Sequence, residues 1–377
     1  RSRLSSNTMK TNSLGIYIHV PYCLRKCIYC GFFSCAHVPD ENEQNTYAAS
    51  IERELEKAAE EFGIRRVDTV FFGGGTPTVL KAAILSRLLA AVKRAFDVAA
   101  DAEITTESNP GTLTERDLTV LREAGFNRLS IGCQSFDDTV LKALGRIHTA
   151  EEALEAYRAA RRCGFGNINL DLMFAVPGHT PEIWEDTLYR VTDLKPEHIS
   201  AYSLQMEEDT PLFDMLQRGE IEEVPDESDR LMYHRAVSLL KPAGYDHYEI
   251  SNFSLPGYEC RHNLKYWSMG EYLGFGPSAS SFAGGIRVTN APRGERHVNT
   301  VFDSMSEFVF TGLRKADGIS YRDFREMFGR DLWDAFADRR AAAERFIRTG
   351  ALIDDGKRLR LSEYGIDISN KVMAEFV

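Results

Sequence analysis

The 377-residue sequence lacks long apolar runs, an excess of basic residues and an even number of cysteines. No stretch approaches the ~20 apolar residues that a membrane-spanning helix needs. The formal net charge of -11 argues against a nucleic-acid-binding protein, because phosphates attract a basic surface. The seven cysteines do not make up the paired set of a secreted disulfide scaffold. These absences predict a cytoplasmic protein without a nucleic-acid partner.

Short runs of β-branched and aromatic residues alternate with amphipathic helical patterns through the first 206 residues. The predicted strands cover residues 15–20, 69–74, 103–108, 128–133, 168–174 and 198–204. The helical patterns between them cover residues 44–61, 82–96, 115–124, 150–163 and 181–194. Six strand–helix units predict an α/β domain with a parallel sheet, whose functional residues collect at the C-terminal ends of the strands.

The remainder of the chain has a different pattern. An acidic stretch follows Met206, and further along lies the motif "RHNLKYW". Near the end, helical patterns precede "ALIDDGKRLRLS", which predicts a β-hairpin with Asp-Gly in its turn, and hence a small winged-helix-like helical domain. We therefore predict a disordered segment 1–14 without the apolar region of a secretion signal, a core domain 15–206, an extension 207–297 and a C-terminal domain 298–377.

The loop after the first predicted strand, "VPYCLRKCIYCGFFS", contains three cysteines in a C-x3-C-x2-C spacing: Cys23, Cys27 and Cys30. Three thiolates can hold three irons of a cubane cluster and leave the fourth iron open to a small molecule with an amine and a carboxylate. The alternative is a zinc site with Cys35, His37 or His19 as the fourth ligand. Zinc sites usually combine two cysteine pairs, and no second pair is present, so the cluster is the preferred interpretation.

The cysteine motif and several others resemble the radical S-adenosylmethionine (SAM) superfamily, and within it the oxygen-independent coproporphyrinogen oxidase branch. The matching motifs are "YIHVPYCLRKCIYC", "FFGGGTPT", "ESNPGT", "IGCQSF", "GRIHT" and "NLDLMFAVPG". The resemblance implies a partial (β/α)6 barrel, a 4Fe-4S cluster on the three cysteines, and S-adenosyl-L-methionine on the open iron. It also implies a set of cofactor-binding residues: Tyr17, Tyr29, Gly74, Gly75, Thr76, Glu107, Gln134, Arg146, Asp171 and Gln205.

The chemistry of these residues agrees with that cofactor. The glycines of "GGGTP" make a strand end where backbone carbonyls can meet an ammonium group. Arg146 can bind the methionine carboxylate through two parallel hydrogen bonds, and Gln134 and Asp171 suit ribose hydroxyls. Each residue also has an ordinary interpretation, such as a tight turn, a surface ion pair or a helix cap. Asp171 lies in an apolar strand, where an unpaired carboxylate is costly, so a ligand or a buried partner is expected.

Two departures separate the sequence from the oxidase. Phe32 stands where the oxidase has a further cysteine two residues after the third ligand, and Cys35 does not fill that position. The first ligand is already residue 23, so the long N-terminal extension of the oxidase is not expected. Both departures indicate a resemblance to the HemW-type heme chaperones, which are relatives of the oxidase.

A second motif agrees with this resemblance. The pattern H-N-x-x-Y-W comprises His262, Asn263, Tyr266 and Trp267. It implies a heme site in which the imidazole meets iron and the two aromatic rings offer flat faces to a porphyrin. The alternative is a packed aromatic turn with a satisfied histidine.

The resemblance predicts a heme chaperone that binds heme and delivers it to membrane-bound respiratory heme enzymes, with transient membrane association and as a monomer or heme-dependent dimer. Coproporphyrinogen oxidase activity is not expected. The alternatives are the oxygen-independent coproporphyrinogen III oxidase itself, and a radical SAM heme-modifying methyltransferase.

Overall fold

The computed structural model describes residues 13–377. Residues 1–12 lie outside the described part, and with them most of the predicted disordered segment 1–14. Leu14 is fully buried and begins the first strand, so the ordered core starts one residue before the predicted boundary.

Strands and helices alternate in the first part of the chain. The strands are β1 (Leu14–Val20), β2 (Tyr22–Cys23), β3 (Cys35–Ala36), β4 (Arg66–Gly74), β5 (Asp97–Ser108), β6 (Arg128–Gln134), β7 (Ile168–Phe174) and β8 (His198–Ser203). The helices are α1 (Glu41–Phe62), α2 (Ala82–Ala95), α3 (Glu115–Ala124), α4 (Asp138–Ala143), α5 (Ala150–Arg162) and α6 (Pro181–Leu194). All six predicted strands and all five predicted helices are present, and the short helix α4 is additional.

The six long strands are neighbours in one sheet, in the order β1-β4-β5-β6-β7-β8, and each pair is parallel. The sheet is open and does not close into a barrel. The predicted α/β class with a partial barrel is therefore confirmed. Because the strands are parallel, the loops that follow them meet along one edge of the sheet.

Local sequence signals explain where several helices begin. Helices α1, α3 and α5 each begin with a capping box, in which cap and third residue exchange hydrogen bonds: Asp40 with Glu43, Thr114 with Asp117, and Thr149 with Glu152. Helix α3 ends at Gly125 in the left-handed conformation, where its N–H caps the last carbonyls. These local signals fix where the three helices begin and where α3 ends.

The extension combines helices with further strands. It contains α7 (Pro211–Gln217), α8 (Asp226–Leu240), β9 (Asp246–Glu249), β10 (Asn252–Ser254), α9 (Arg261–Trp267), β11 (Tyr272–Phe275), β12 (Ser280–Ala283), β13 (Ile286–Thr289) and β14 (Arg296–Val298). Strands β10 and β9 extend the sheet beyond β8. Strand β11 lies parallel to β1 on the opposite flank, and β12, β13 and β14 follow it. The sequence patterns did not predict that the extension completes both flanks of the sheet.

The C-terminal unit has its own hydrophobic core, which includes Val309, Phe324, Phe336 and Phe376. It contains α10 (Val301–Gly312), β15 (Ile319–Ser320), α11 (Tyr321–Phe328), α12 (Leu332–Ala335), α13 (Arg340–Arg348), β16 (Leu352–Asp354), β17 (Arg358–Leu361), α14 (Glu363–Asp367) and α15 (Ser369–Ala374). Strands β16 and β17 form the predicted hairpin, with Gly356 at positive φ in its turn. Helices packed around this small sheet agree with a winged-helix-like arrangement.

Across residues 13–377, no helix is both long enough and apolar enough to cross a membrane. The amphipathic helices instead bury one face against the sheet, as α1 does with Tyr47, Ile51 and Leu55.

Candidate functional site

The cysteine loop is bonded directly to the glycine-rich end of β4. The N–H of Gly75 donates to the carbonyl of Val20 (2.8 Å), and the N–H of Thr76 donates to the carbonyl of Tyr22 (2.7 Å). A Cβ atom on Gly75 would lie 2.6 Å from that same Tyr22 carbonyl oxygen and 3.1 Å from the Cys23 sulfur. Only glycine allows the two segments to approach this closely. The hydroxyl of Thr76 also points to the Cys23 sulfur, at 3.5 Å.

A cavity of about 610 Å³ opens at this edge of the sheet. Every predicted ligand and cofactor residue except Tyr17 lines it: Cys23, Cys27, Tyr29, Cys30, Gly74, Gly75, Thr76, Glu107, Gln134, Arg146, Asp171 and Gln205. We call it the cofactor cavity. Most of these residues lie at or just after the C-terminal ends of parallel strands, while Asp171 lies within β7 and Arg146 follows α4, so their convergence follows largely from the parallel topology.

Tyr17 lies on β1, deeper in the fold than the rest of the set. Its hydroxyl is 3.2 Å from Nδ1 of His19, and its ring stacks on Phe71. Burial, followed by the charge of Glu107, raises the pKa of Tyr17 far above its usual value. The ring contributes to two neighbouring cavities instead of the cofactor cavity.

Arg146 is held at the cofactor cavity by several acceptors. Its Nη2 donates to the Asn109 side-chain oxygen (2.6 Å) and to the Gly132 carbonyl (2.7 Å), and its Nη1 donates to the Cys27 sulfur (3.3 Å). Its Nε is buried without a hydrogen-bond partner among the described residues. Three of the five N–H donors of the guanidinium are therefore bonded to protein groups, which leaves Nε and the second N–H of Nη1 without an acceptor in the part of the chain that the structure describes.

Asn109 is a site residue that the motif analysis did not single out, although it lies in "ESNPGT". Its side chain accepts from Arg146 and donates to the Thr76 hydroxyl (2.8 Å). A Cβ atom on Gly132 would lie 2.5 Å from its amide oxygen. Asn109 thus links three strand ends, a role that only the folded arrangement shows.

Two acidic side chains form the floor of the cofactor cavity. Asp171 accepts from the Ser130 hydroxyl (3.0 Å) and from the Asn169 amide (2.8 Å), while Glu107 accepts from the Gly74 N–H (3.2 Å). Burial raises the pKa of Asp171. Burial, followed by the charge of Asp171, raises the pKa of Glu107 to about 8. Without a ligand, Glu107 is therefore mostly protonated at neutral pH.

The raised pKa of Glu107 predicts a pH-dependent effect of Glu107→Gln in the cofactor-free protein. The folded state binds this proton more tightly than the unfolded state, so wild-type stability falls as the pH rises from about 4.5 to about 8. The variant lacks this loss. Its stability relative to wild type should rise between pH 5 and pH 8 by about 3–4 kcal/mol, at about 1.4 kcal/mol per pKa unit and with the two ends of the titration outside this range. Urea unfolding at both pH values measures it.

The exposed carboxylate variant Glu123→Gln serves as the control and should show no such trend. A constant stability difference for Glu107→Gln across this pH range would show that Glu107 is ionised in the folded protein.

The three thiols of the loop surround the edge of the cavity. Among residues 13–377, no three His, Cys, Asp or Glu side chains converge closely enough to hold a single metal ion. A cubane distributes its irons, so its thiolates need not point to one centre. Burial raises the pKa of the Cys23 and Cys30 thiols, so ligand formation must release protons. Together with the donor from Arg146 to the Cys27 sulfur, this donor set fits an iron–sulfur cluster.

A second cavity, of about 430 Å³, adjoins the first. We call it the aromatic cavity, after the rings in its wall: Tyr17, Phe32, Phe33, Tyr266, Trp267, Tyr272 and Phe282. Arg287 lies in the same wall, bonded to Tyr272 (2.9 Å) and Glu307 (3.1 Å). Phe32 and Arg293 line both cavities, so the cysteine loop separates the two spaces.

The motif "HNLKYW" forms helix α9, and His262 is packed inside the protein. Its Nδ1 is 2.8 Å from the Thr69 hydroxyl and its Nε2 is 2.7 Å from the Tyr266 hydroxyl. Burial lowers the pKa of His262 to about 3, so the ring is neutral. Both ring nitrogens of His262 therefore have hydrogen-bond partners. This agrees with the alternative interpretation of the motif, a packed aromatic turn with a satisfied histidine. The predicted role of His262 as a heme ligand would require both hydrogen bonds to break.

The four motif residues therefore separate in space. Tyr266 and Trp267 line the aromatic cavity, whereas His262 and Asn263 line a third, inner cavity that Tyr266 also borders.

Comparison with known proteins agrees with this arrangement. Residues 17–190 match the Radical SAM superfamily, and residues 301–368 match the HemN C-terminal domain. The heme chaperone HemW of Bacillus subtilis is 34% identical over 96% of this chain and 98% of its own length. The chain belongs to the HemW family.

Other HemW family members agree. The heme chaperone HemW of Escherichia coli is 40% identical over 72% of this chain and 70% of its own length. In structure, the chain is similar to coproporphyrinogen III oxidase (HemN) from Escherichia coli, with a TM-score of 0.83 over 97% of this chain and 90% of that one. Their sequences are 24% identical, so this likeness describes the fold that the HemW family shares with the oxidase.

Proposed function

We propose that this member of the HemW family is a heme chaperone that holds a 4Fe-4S cluster and S-adenosylmethionine in the cofactor cavity and heme in the aromatic cavity. The observation that carries the proposal is the adjacency of the two cavities, which share the wall of the cysteine loop at Phe32. Membership of a family whose relatives are named heme chaperones supports it.

In this proposal Cys23, Cys27 and Cys30 are the cluster ligands. When bound, the cluster supplies a redox-active iron with one position open to the amine and carboxylate of S-adenosylmethionine. The backbone around Gly74 and Gly75 leaves space for the ammonium group. Asp171 accepts hydrogen bonds from ribose hydroxyls, and Tyr29 and Gln205 border the same space.

Arg146 provides a quantitative test of the cofactor position. We expect Arg146→Ala to weaken S-adenosylmethionine binding by about 1.5–3 kcal/mol, because one charge-assisted hydrogen bond to the carboxylate is lost. Calorimetry on the reconstituted protein measures this as a roughly 10- to 150-fold higher Kd. Arg158→Ala, which removes an exposed arginine paired with Glu151, is the control. Unchanged affinity in Arg146→Ala would remove the residue from the carboxylate position.

Heme in the aromatic cavity would rest on rings that the structure already holds in place. Tyr266 is fixed by the His262 bond and by edge contact with Tyr272, whose ring centroid is 4.5 Å away. Trp267 is covered on one face by Arg314, 4.4 Å from its ring centroid. Arg293 forms no hydrogen bond or ion pair with the described residues and is the free cation for a heme propionate. Aromatic faces and a cation match a flat, apolar ring with two carboxylates.

The recipients in this proposal are membrane-bound respiratory heme enzymes, reached by transient membrane contact, with the chaperone acting as a monomer or a heme-dependent dimer. The cytoplasm is the proposed location, since all seven cysteines are free thiols and a reducing compartment keeps them so. Heme titration should give a saturable Soret shift, and its absence would refute the chaperone proposal.

A further inference from the structure

Arg128 is a buried cation that the proposed heme and cofactor sites do not use. Arg128 is the first residue of β6, at the end of the strand opposite the cysteine loop. Only 2% of its surface is exposed. Among residues 13–377, its side chain makes neither a hydrogen bond nor an ion pair, and its Nε is fully buried without a partner. Buried polar groups are nearly always bonded, so a free guanidinium calls for a partner that the protein itself does not supply.

The side chain lines the inner cavity, which measures about 280 Å³. This space is smaller than the cofactor cavity (about 610 Å³) and the aromatic cavity (about 430 Å³), and it suits a small acid or one arm of a larger molecule. The inner cavity shares Glu107 and Asp171 with the cofactor cavity, and Tyr17 and Tyr266 with the aromatic cavity.

The nearby carboxylates are committed elsewhere and do not neutralise Arg128 by direct contact. Glu103 accepts the backbone N–H groups of Arg261 (3.0 Å) and His262 (3.1 Å). Asp171 accepts from two side chains, and Glu107 accepts from the Gly74 N–H. Glu107 is also mostly protonated at neutral pH, so it does not repel an anion and can donate a hydrogen bond.

A second donor faces the same space. Asn263 lines the inner cavity, and its side-chain amide forms no hydrogen bond within the part of the chain that the structure describes. A guanidinium and an amide on one wall can hold a carboxylate, because the planar fork of arginine matches its two oxygens.

We propose that the inner cavity binds a carboxylate, held by Arg128 and Asn263, which belongs either to a small acid or to one arm of a larger ligand. The two proposed contacts, Arg128 and Asn263, line neither the cofactor cavity nor the aromatic cavity, so the site can be tested separately from the heme proposal.

The test uses the full reconstituted chain with propionate as the probe and propionamide as its uncharged match. Saturation-transfer NMR should show saturable binding of propionate and at least tenfold weaker binding of propionamide. Arg128→Met should weaken propionate binding at least tenfold, and Arg128→Lys should weaken it less. Equal binding of the two probes, or wild-type propionate binding by a folded Arg128→Met, would overturn the proposal.

Asn263→Leu covers the case in which Arg128→Met does not fold. It keeps the cation and removes the second donor, so propionate binding should fall several-fold. Unchanged binding in this variant, with Arg128→Met unfolded, would overturn the site as proposed.

Competition identifies the source of the carboxylate. If heme abolishes the propionate signal and heme dimethyl ester does not, the carboxylate is the arm of a bound tetrapyrrole. If neither competes, the ligand is a separate small acid. Both results support the site.

Discussion

Reconstituted under anaerobic conditions, the wild-type protein should bind about four irons per chain, and Cys27→Ala should retain only a small fraction of them. The same loss is expected for Cys23→Ala and Cys30→Ala, because a cubane held by three thiolates has no spare protein ligand. In Cys27→Ala, the guanidinium of Arg146 also loses its sulfur acceptor. Iron and sulfide analysis, together with the visible absorbance of the cluster, measures the effect.

Cys35→Ala is the matched control. Cys35 is exposed, its thiol donates to the Pro21 carbonyl at 3.4 Å, and it does not line the cofactor cavity. Its removal should leave the iron content unchanged. Loss of iron in Cys35→Ala would make it a fourth ligand, and tight zinc binding without sulfide would favour the zinc site instead.

The reconstituted protein should bind heme and leave coproporphyrinogen III unconverted. Oxidative decarboxylation by a 5′-deoxyadenosyl radical requires the substrate side chain to be held within about 3–3.5 Å of the attacking carbon. Phe32, which resemblance places where the oxidase has a cysteine, is 71% exposed between the two cavities. Such an open apolar wall suits a flat ring better than a tightly positioned propionate. Chromatography of anaerobic reactions, run beside a heme titration, measures both outcomes.

Two phenylalanine variants test whether heme binds in the aromatic cavity. Phe32→Ala should weaken heme binding by a factor of about ten, since an aromatic contact is worth about 0.5–1.5 kcal/mol beyond its buried area. Phe62→Ala, at the end of α1, removes a partly exposed phenylalanine that lies in neither cavity and should change nothing. Robust turnover of coproporphyrinogen would assign the chain to the oxidases, and methylated or ring-opened heme would assign it to the methyltransferases.

The Soret band of His262→Ala distinguishes the two interpretations of the motif. If the packed histidine of the structure persists with heme bound, the band keeps its wild-type position. A shifted band would show that the two hydrogen bonds of His262 break and that its imidazole meets the iron.

Much of the core could be predicted because parallel strands carry strong local signals. Residues 168–174 are apolar at five of seven positions, with Asn169 and Asp171 between them, and β7 has these same bounds. The strand-end rule then placed the cysteine loop, Glu107, Gln134 and Asp171 at one edge without any knowledge of contacts. These residues meet in one cavity because the strands are parallel, and the alternation of strand and helix patterns in the sequence predicts parallel strands.

Other features depend on partners that are distant in sequence. The ring of His262 meets Thr69, 193 positions away, and no local pattern indicates that contact. The sequence analysis did not single out Asn109, because its bonds to Arg146 and Thr76 exist only after folding. Strand β11 has only four residues, one of them Gly274, so its pairing with β1 left no signal in the sequence.

The pairing of β11 with β1 sets an order of events during synthesis. Gly15 to Ile18 find their partners at Tyr272 to Phe275, so one edge of the strand that leads into the cysteine loop stays open until about three quarters of the chain has left the ribosome. Contacts so distant in sequence form late and slowly. During synthesis, β1 and the cysteine loop that follows it would be supported by β4 alone. This topology therefore favours loading of iron after synthesis is complete.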